Sequence, residues 1–414
     1  MTNKRRYNFL IFACVFVWVI MMGSKNIYTA EYIEIGNIFG VEKAQASLAM
    51  TFYFITYSLV QVLLFFLMGK LNVKWYMLIS VFMSGVVTVF VALATELWQL
   101  WWILAINGIL QAGIWGMCTA VLDKYLPKNM KAKANMLMNI GTAFSGIISY
   151  GSASCFISFK NLNSPFTFFG VILSISAILF FLAVSKCAKL KTVKQSAIQP
   201  ETAVVKPIQN LPFTLKTSKK KILFVIISFV LSVVIHFVFY GVLNWIPSFL
   251  TENFYMEENV AVLISVIAPL AICVGPVFAI WHCEKHPNFV NVGLLYLSIA
   301  SIFAFLLIFL YDVNVVLSLI IICLFLIIMQ GAITIVFSVI SYKLSEYVNA
   351  GAHSGLMNAA GGISAGISPT IVGAIIDSCG WQISYITLFA ITFVTTLFMI
   401  YLLLALNKSR KQNI

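Results

Sequence analysis

Twelve apolar stretches, each about as long as a bilayer is thick, alternate with short polar connections along this chain. They run near residues 8–30, 44–69, 75–95, 98–122, 132–156, 165–185, 222–250, 258–281, 289–310, 314–340, 351–376 and 381–406. A helix rises about 1.5 Å per residue, so about 20 apolar residues cross a hydrocarbon core of about 30 Å. Lipid offers no partner to backbone N–H and C=O groups, so only helices or closed barrels span it. The alternating segments of a barrel strand are not seen. The pattern predicts an all-α membrane protein with twelve transmembrane helices. The first run follows Lys4-Arg5-Arg6 and imitates a secretory leader. It continues past a leader's apolar length without a small-residue cleavage site, which predicts a retained span.

Composition sharpens this picture. Of 414 residues, 61% are hydrophobic and 9% charged, against about 25% charged in a soluble domain. The net charge of +13 raises the question of nucleic acid, and its placement answers it. With both termini cytoplasmic, 23 of the 26 Lys and Arg fall on the inner side: 4–6, 70, 74, 124, 128, 131, 133, nine between 186 and 221, 285, 343, 408, 410 and 411. Nine of the 13 acids fall outside: 31, 34, 42, 96, 252, 257, 258, 312 and 377. Basic residues concentrate on the cytoplasmic side of membrane proteins, so the excess reports topology. No basic groove with interleaved aromatics points to nucleic acid. We expect a multi-pass monomer of the cell membrane whose partners are the lipid bilayer and a small-molecule substrate.

The eight cysteines lie singly, mostly inside apolar runs, so neither a disulfide framework nor structural zinc is expected. His282 and His286 are four apart, which suits a metal on a helix face. They fall on the short connection after the eighth run, where Pro287 ends the helix, and no metal is expected. There is no phosphate-binding loop for ATP, and Gly361, Gly362, Gly366 and Gly373 follow no strand. Those glycines suit close helix packing. No nucleophile–base pair is visible. The chain reads as a non-enzyme with no cofactor.

Residues 186–221 form the one long polar stretch, with Pro200, Pro207, Pro212 and Lys219-Lys220-Lys221. They divide the chain into an N-terminal six-helix bundle (1–185), a cytoplasmic linker (186–221) and a C-terminal six-helix bundle (222–414). The halves echo each other. Shifted by 219, residues 111–149 overlay 330–368 without a gap, and Gln111, Ile114, Lys124, Leu137, Met138, Asn139, Ser145, Ile148 and Ser149 meet identical residues. Shifted by 218, Gly23, Asn26 and Glu34 meet Gly241, Asn244 and Glu252. A parallel duplication of this kind predicts a substrate site near the midplane, where the repeats meet.

Several segments carry a family resemblance: "SKNIYTAEYIE" (24–34), "FYFITYSLVQ" (52–61), "YGVLNWIPSFL" (240–250) and "GLMNAAGGISAGISPTIVGAIIDSCGW" (355–381). Over its whole length the chain resembles the major facilitator superfamily. Locally it is similar to the organophosphate:phosphate antiporters and, a step further, the anion:cation symporters. The resemblance implies a secondary transporter whose two bundles rock about a central site. It also implies a phosphate clamp of two arginines, but Ser24 and Phe239 stand at those positions. Lys25 and Asn26 match, and Thr142 stands where some members have a histidine. Both cationic forks are therefore missing, which argues against phosphate-ester exchange. The loop motif between the second and third helices is shortened to Gly69-Lys70-Leu71-Asn72-Val73-Lys74, and its counterpart after the eighth survives in part as Glu284-Lys285. Both residues are gating candidates.

Lys25 is the one Lys or Arg deep inside a predicted span; Lys133 sits at the cytoplasmic edge of another. An ammonium at that depth costs about 2.5–3.5 kcal/mol on insertion scales. Three readings stand: it binds the anionic group of a substrate, it snorkels to the outer interface, or it pairs with Glu31 or Glu34. Glu31 is also a coupling candidate. Six amides recur at matched positions, namely Asn26 and Asn244, Asn139 and Asn358, Gln111 and Gln330. Unpartnered amides are unfavourable in lipid, so these are expected to face the interior. Trp245-Ile-Pro247 predicts a break in the seventh helix that lets its outer end gate. Tyr53, Tyr57 and Gln61 share one face at four-residue spacing. His236 lies one turn before Tyr240. With Trp115 these complete the substrate-binding candidates, each equally readable as core packing. The leading reading is a secondary transporter of a small organic anion. The alternatives are a multidrug or neutral-solute carrier and a transporter-like membrane sensor.

Overall fold

The computed structural model describes residues 3–67, 71–158, 163–188, 218–286, 288–336 and 350–411, all of them helices and short connections. Gly69, Lys70, Pro287, Lys343 and most of the 186–221 stretch lie outside the described residues.

The N-terminal helices are α1 (Asn3–Ala30), α2 (Tyr32–Phe39), α3 (Lys43–Leu67), α4 (Val73–Val91), α5 (Leu97–Gln111), α6 (Ile114–Tyr125), α7 (Lys128–Ser158) and α8 (Asn163–Ala188). After them come α9 (Ser218–Leu243), α10 (Ile246–Phe254), α11 (Glu258–Ile264), α12 (Ile267–Ile272), α13 (Val274–Lys285), α14 (Phe289–Leu310), α15 (Val315–Thr334) and α16 (Ala350–Lys411). Among the described residues, eleven helical stretches are long and apolar enough to cross a membrane. The last of them, Leu356–Tyr401, has 46 residues, more than twice what one crossing needs. It is interrupted at Gly380, whose φ of 82° and ψ of 176° belong to a region that only glycine occupies readily. Divided there, the described residues hold twelve stretches long enough to cross.

Several spans are built from shorter helices, and the sequence explains where they part. Proline lacks an N–H and its ring clashes with the carbonyl four residues earlier. Pro247 follows the break between α9 and α10. Pro269 and Pro276 divide the eighth span into α11, α12 and α13. The fourth span parts between α5 and α6 at Ala112–Gly113, and the first is extended past Glu31 by α2. Polar caps hold the ends. Asn314 Oδ1 accepts the N–H of Val316 at 2.9 Å, and Gln99 Oε1 accepts those of Thr95 and Glu96 at 2.8 and 3.2 Å.

The chain forms two compact units: residues 1–199 with 256–270, and 200–255 with 271–414. In the first unit α1 packs on α7 and α8, α3 on α5, α4 on α8, and α11 on α7. In the second, α9 and α14 pack on α16, and α15 on α14 and α13. Lipid tails supply no hydrophobic drive between helices, so close contact of backbones matters most. One example is Gly85 on α4 against Gly170 on α8: a Cβ on Gly170 would stand 2.6 Å from the Gly85 carbonyl oxygen. Gly108 on α5 lies in the same way against the backbone of Tyr53 on α3.

Gly170→Leu is expected to push α8 off α4, with overpacking of about 1–3 kcal/mol. A thermal-unfolding assay on detergent-purified protein should show a lower midpoint; an unchanged one would mean that the two backbones need not touch.

Candidate functional site

In the first unit α1 presents Ser24, Lys25 and Asn26 on consecutive positions. Lys25 and Asn26 are half-buried, and Ser24 is buried. Lys25 Nζ stands 5.2 Å from the centroid of the Phe54 ring on α3. Among the described residues it forms no hydrogen bond or ion pair, with Glu31 and Glu34 included. A cation–π contact contributes about 0.5–2 kcal/mol, less than the insertion cost of an ammonium. The ring therefore covers one side of the charge and leaves its N–H donors unused.

Below the lysine lies a buried polar chain that crosses four helices. Tyr53 Oη on α3 donates to Gln111 Oε1 on α5 at 2.7 Å. Gln111 Nε2 donates to Ser24 Oγ at 3.3 Å and to Ser84 Oγ on α4 at 2.9 Å. Ser84 Oγ donates to Asn107 Oδ1 at 2.7 Å, and Asn107 Nδ2 to Thr88 Oγ1 at 3.0 Å. Gln111 thus uses both ends of its amide inside the protein. Ser84, Thr88 and Asn107 were not among the sequence candidates. Their signal was present: Ser84 and Thr88, like Asn107 and Gln111, are polar pairs four apart inside apolar runs. Tyr57 is half-buried and stacks on Tyr53, with centroids 5.8 Å apart. Gln61 is half-buried one turn on.

Trp115 is half-buried and meets Trp18 edge-on at 4.6 Å. Trp18 Nε1 donates to Thr142 Oγ1 on α7 at 2.8 Å. Asn139 is exposed and donates to the Asn135 carbonyl of its own helix at 2.9 Å.

The second unit holds the other candidates. His236 on α9 is buried, with Nδ1 2.7 Å from the Ser232 carbonyl. A carbonyl only accepts, so Nδ1 carries the hydrogen and Nε2 of the neutral ring is an acceptor. Nε2 lies against Gly361, where a Cβ would stand 2.9 Å away. Tyr240 is half-buried and stacks on His236 at 6.2 Å. Trp245 is fully buried and donates to the Pro369 carbonyl at 3.1 Å. Together with Phe249, Trp381 and Tyr385 it lines a cavity of about 10 Å³, room for no more than a water. Pro247 is buried at the start of α10; Asn244, Gln330 and Asn358 are half-buried. Glu284 and Lys285 are exposed at the end of α13, where Lys285 Nζ lies 4.0 Å from the Trp281 ring centroid. His282 bonds Tyr296 Oη at 3.0 Å, and among the described residues no cluster is arranged to hold a metal ion.

The repeat is visible in these contacts. Trp18 and His236 are 218 apart, and Thr142 and Gly361 are 219 apart. Trp18 bonds Thr142 in one unit, and at the matching positions of the other the imidazole of His236 lies on the bare glycine Gly361.

Glu31 lies just past the first span, at the joint between α1 and α2. It is 1% exposed, and its Oε1 has no hydrogen-bond partner among the described residues. Burial, and then the charges of Glu258 and Glu34, push its carboxyl up to about 9.

A profile of the Major Facilitator Superfamily matches residues 13–352. No curated protein matches the sequence. Among solved structures, the chain is similar to a bacterial homolog of the human lysosomal transporter Spinster in an inward-facing, occupied conformation, with 14% identity, 97% of each chain covered and a TM-score of 0.75. It is also similar to the D-xylose–proton symporter, with 13% identity over 94% of this chain and 96% of that one and a TM-score of 0.70. A mutant of the nucleoside transporter NupG gives 13%, 97%, 99% and 0.68. At these identities the likeness concerns the fold.

Two outcomes follow from the geometry. Gln111→Leu leaves Tyr53 Oη, Ser24 and Ser84 short of partners, at about 1–3 kcal/mol for each unsatisfied group. Its melting midpoint should drop well below that of the parent, and equality would deny the network any stabilising role. A carboxyl whose folded pKa is raised favours the folded state below its ordinary value of 4.5, and that contribution is lost as pH rises through about 9. Across that window the parent should lose more stability than Glu31→Gln; parallel curves would contradict it.

Proposed function

The chain belongs to the Major Facilitator Superfamily, a secondary transporter working by alternating access and not an enzyme, and from that premise we propose that it carries a small organic anion whose acidic group meets Lys25. The observation that supports this reading is the half-buried ammonium with no counter-ion among the described residues. A charge in that position is stabilised by a partner that arrives and leaves with each cycle. Phe54 shields one side of it, and the polar chain from Tyr53 through Gln111 to Ser24 fixes the α1 face that presents it. Tyr53 and Gln111 act by position in this reading, since their polar atoms already bond each other. Asn26, Tyr57 and Gln61 are assigned to the rest of the solute, with Trp115 and Asn139 beyond them.

The second unit offers acceptors and donors of a neutral kind: His236 Nε2, Tyr240, Asn244, Gln330 and Asn358. A lone ammonium is a point charge, whereas planar arginine forks suit phosphate in two-point contact. With Ser24 and Phe239 at the clamp positions, a carboxylate fits better than a phosphate ester. Glu31, Pro247, Glu284 and Lys285 are assigned to coupling and gating. The sorted basic residues favour a cell-membrane monomer with cytoplasmic termini, and bundles at 1–185 and 222–414.

The test is saturable uptake of radiolabelled carboxylates and phosphate esters by proteoliposomes. Lys25→Ala should weaken binding of the transported anion about 10- to 100-fold, the worth of a charge-assisted hydrogen bond of about 1.5–3 kcal/mol. It should still insert and purify normally, and Lys25→Arg should recover part of the uptake. Undiminished transport by Lys25→Ala would sink the proposal in favour of a neutral-solute carrier.

A further inference from the structure

Three helices of the first unit bring their basic ends together, and α8 packs on both of the others, α1 and α4. At the end where α4 begins and α8 stops, Lys74 Nζ on α4 stands 3.9 Å from the centroid of the Phe181 ring on α8. Trp75 meets the same ring at 5.1 Å. On the other flank of α8, Lys186 Nζ stands 5.0 Å from the Phe9 ring near the start of α1. Next to it Cys187 Sγ donates to the Arg6 carbonyl at 3.6 Å. Lys4 and Arg5, just before Arg6, are exposed. Five cations thus gather at one end of three packed helices. Helices α1, α4 and α8 contain no Asp or Glu, and none of the five cations forms an ion pair among the described residues. Lys131, by contrast, has Asp123 at 3.5 Å.

Four of these charges also oppose the helices that carry them. A helix N-terminus bears partial positive charge and unmet N–H groups, so cations there are disfavoured and anions are stabilising. Lys4, Arg5 and Arg6 occupy the first turn of α1, and Lys74 that of α4. Neither turn holds an acid, and Asn72 at the N-cap of α4 makes no side-chain cap bond. An anion from outside the chain offsets both defects, and the surface beside the charges sets its kind. Trp75, Ile79 and Met83 form an exposed stripe along α4, and Ile175, Ile178 and Leu182 form one along α8, with Lys186 exposed one turn beyond Leu182. Each helix therefore carries an apolar stripe that runs up to the cations. A soluble anion leaves such stripes unused, whereas an amphiphile with a charged head and apolar tails matches both parts. We propose that this end of the first unit binds an anionic phospholipid, its headgroup phosphate in the field of the five cations and its acyl chains along α4 and α8. Trp75 takes the interfacial level that its ring favours, and basic pockets between spans suit such headgroups. The site is separate from Lys25 and independent of the solute carried.

The experiment titrates the full chain, purified in neutral detergent and stripped of lipid, with equal amounts of dioleoylphosphatidylglycerol and dioleoylphosphatidylcholine. Native mass spectrometry counts the lipid retained. The parent should keep phosphatidylglycerol in preference. One basic residue near a membrane surface is worth about five-fold in affinity, so Lys74→Gln and Lys186→Gln should each lose about that, and the double variant about 25-fold. Lys74→Arg should recover most of the binding, which separates charge from damage to the fold. Lys131→Gln, whose charge Asp123 already meets, should match the parent. Glycerophosphoglycerol, the headgroup without tails, should not displace the lipid at the same concentration. The proposal is overturned by equal retention of the two lipids, by as large a loss in Lys131→Gln as in Lys74→Gln, by no recovery in Lys74→Arg, or by displacement with the bare headgroup.

Discussion

In hydrocarbon a polar atom must find its partner inside the protein, and nearly every feature of this chain answers to that constraint. It makes the backbone helical across each span. It also folds hydroxyls back onto their own helices: Thr88 donates to the Ser84 carbonyl at 2.8 Å, Ser152 to that of Ile148 at 2.6 Å, and Thr392 to that of Leu388 at 2.7 Å. Where a side chain is too long or too polar for this, a network forms, as around Gln111. Against such general satisfaction the few unmet groups stand out. Lys25 has an aromatic ring and no anion; Glu31 and Glu258 each have an idle oxygen.

The duplication sets where these groups fall and where symmetry was abandoned. Ser149 Oγ reaches the Gly23 carbonyl at 3.2 Å, and its counterpart Ser368 reaches that of Phe237 at 2.5 Å, so helix-to-helix serine bonds recur in both units. Lys25 has no such counterpart: Leu243 stands 218 positions later. The charge is thus confined to one unit, and the matching place in the other is apolar.

The fold was legible because hydropathy and charge sorting are long signals summed over many residues. The twelve crossings and the break before Pro247 could be read directly. The division of the eighth span was readable in principle from Pro269 and Pro276, yet its apolar run looked uniform. The site was less legible. Gln111 attracted notice through its twin Gln330, whereas Asn107 has Leu326 at the matching position and so left no trace in the repeat. Phe54 looked like one more apolar residue among 35 phenylalanines; only its place above an ammonium distinguishes it. Asn139 bonds its amide to a carbonyl of its own helix, which no periodicity reveals.

Gly380 turns the chain between its last two crossings in a single residue, at φ 82°. Beside it Trp381 Nε1 donates to Glu252 Oε2 at 2.9 Å, tying this corner to the end of α10. With no slack in the connection, neither crossing can slide along its axis without dragging the other. Any swing of α10 about the break at Asn244 and Trp245 has to carry this hydrogen bond along or give it up.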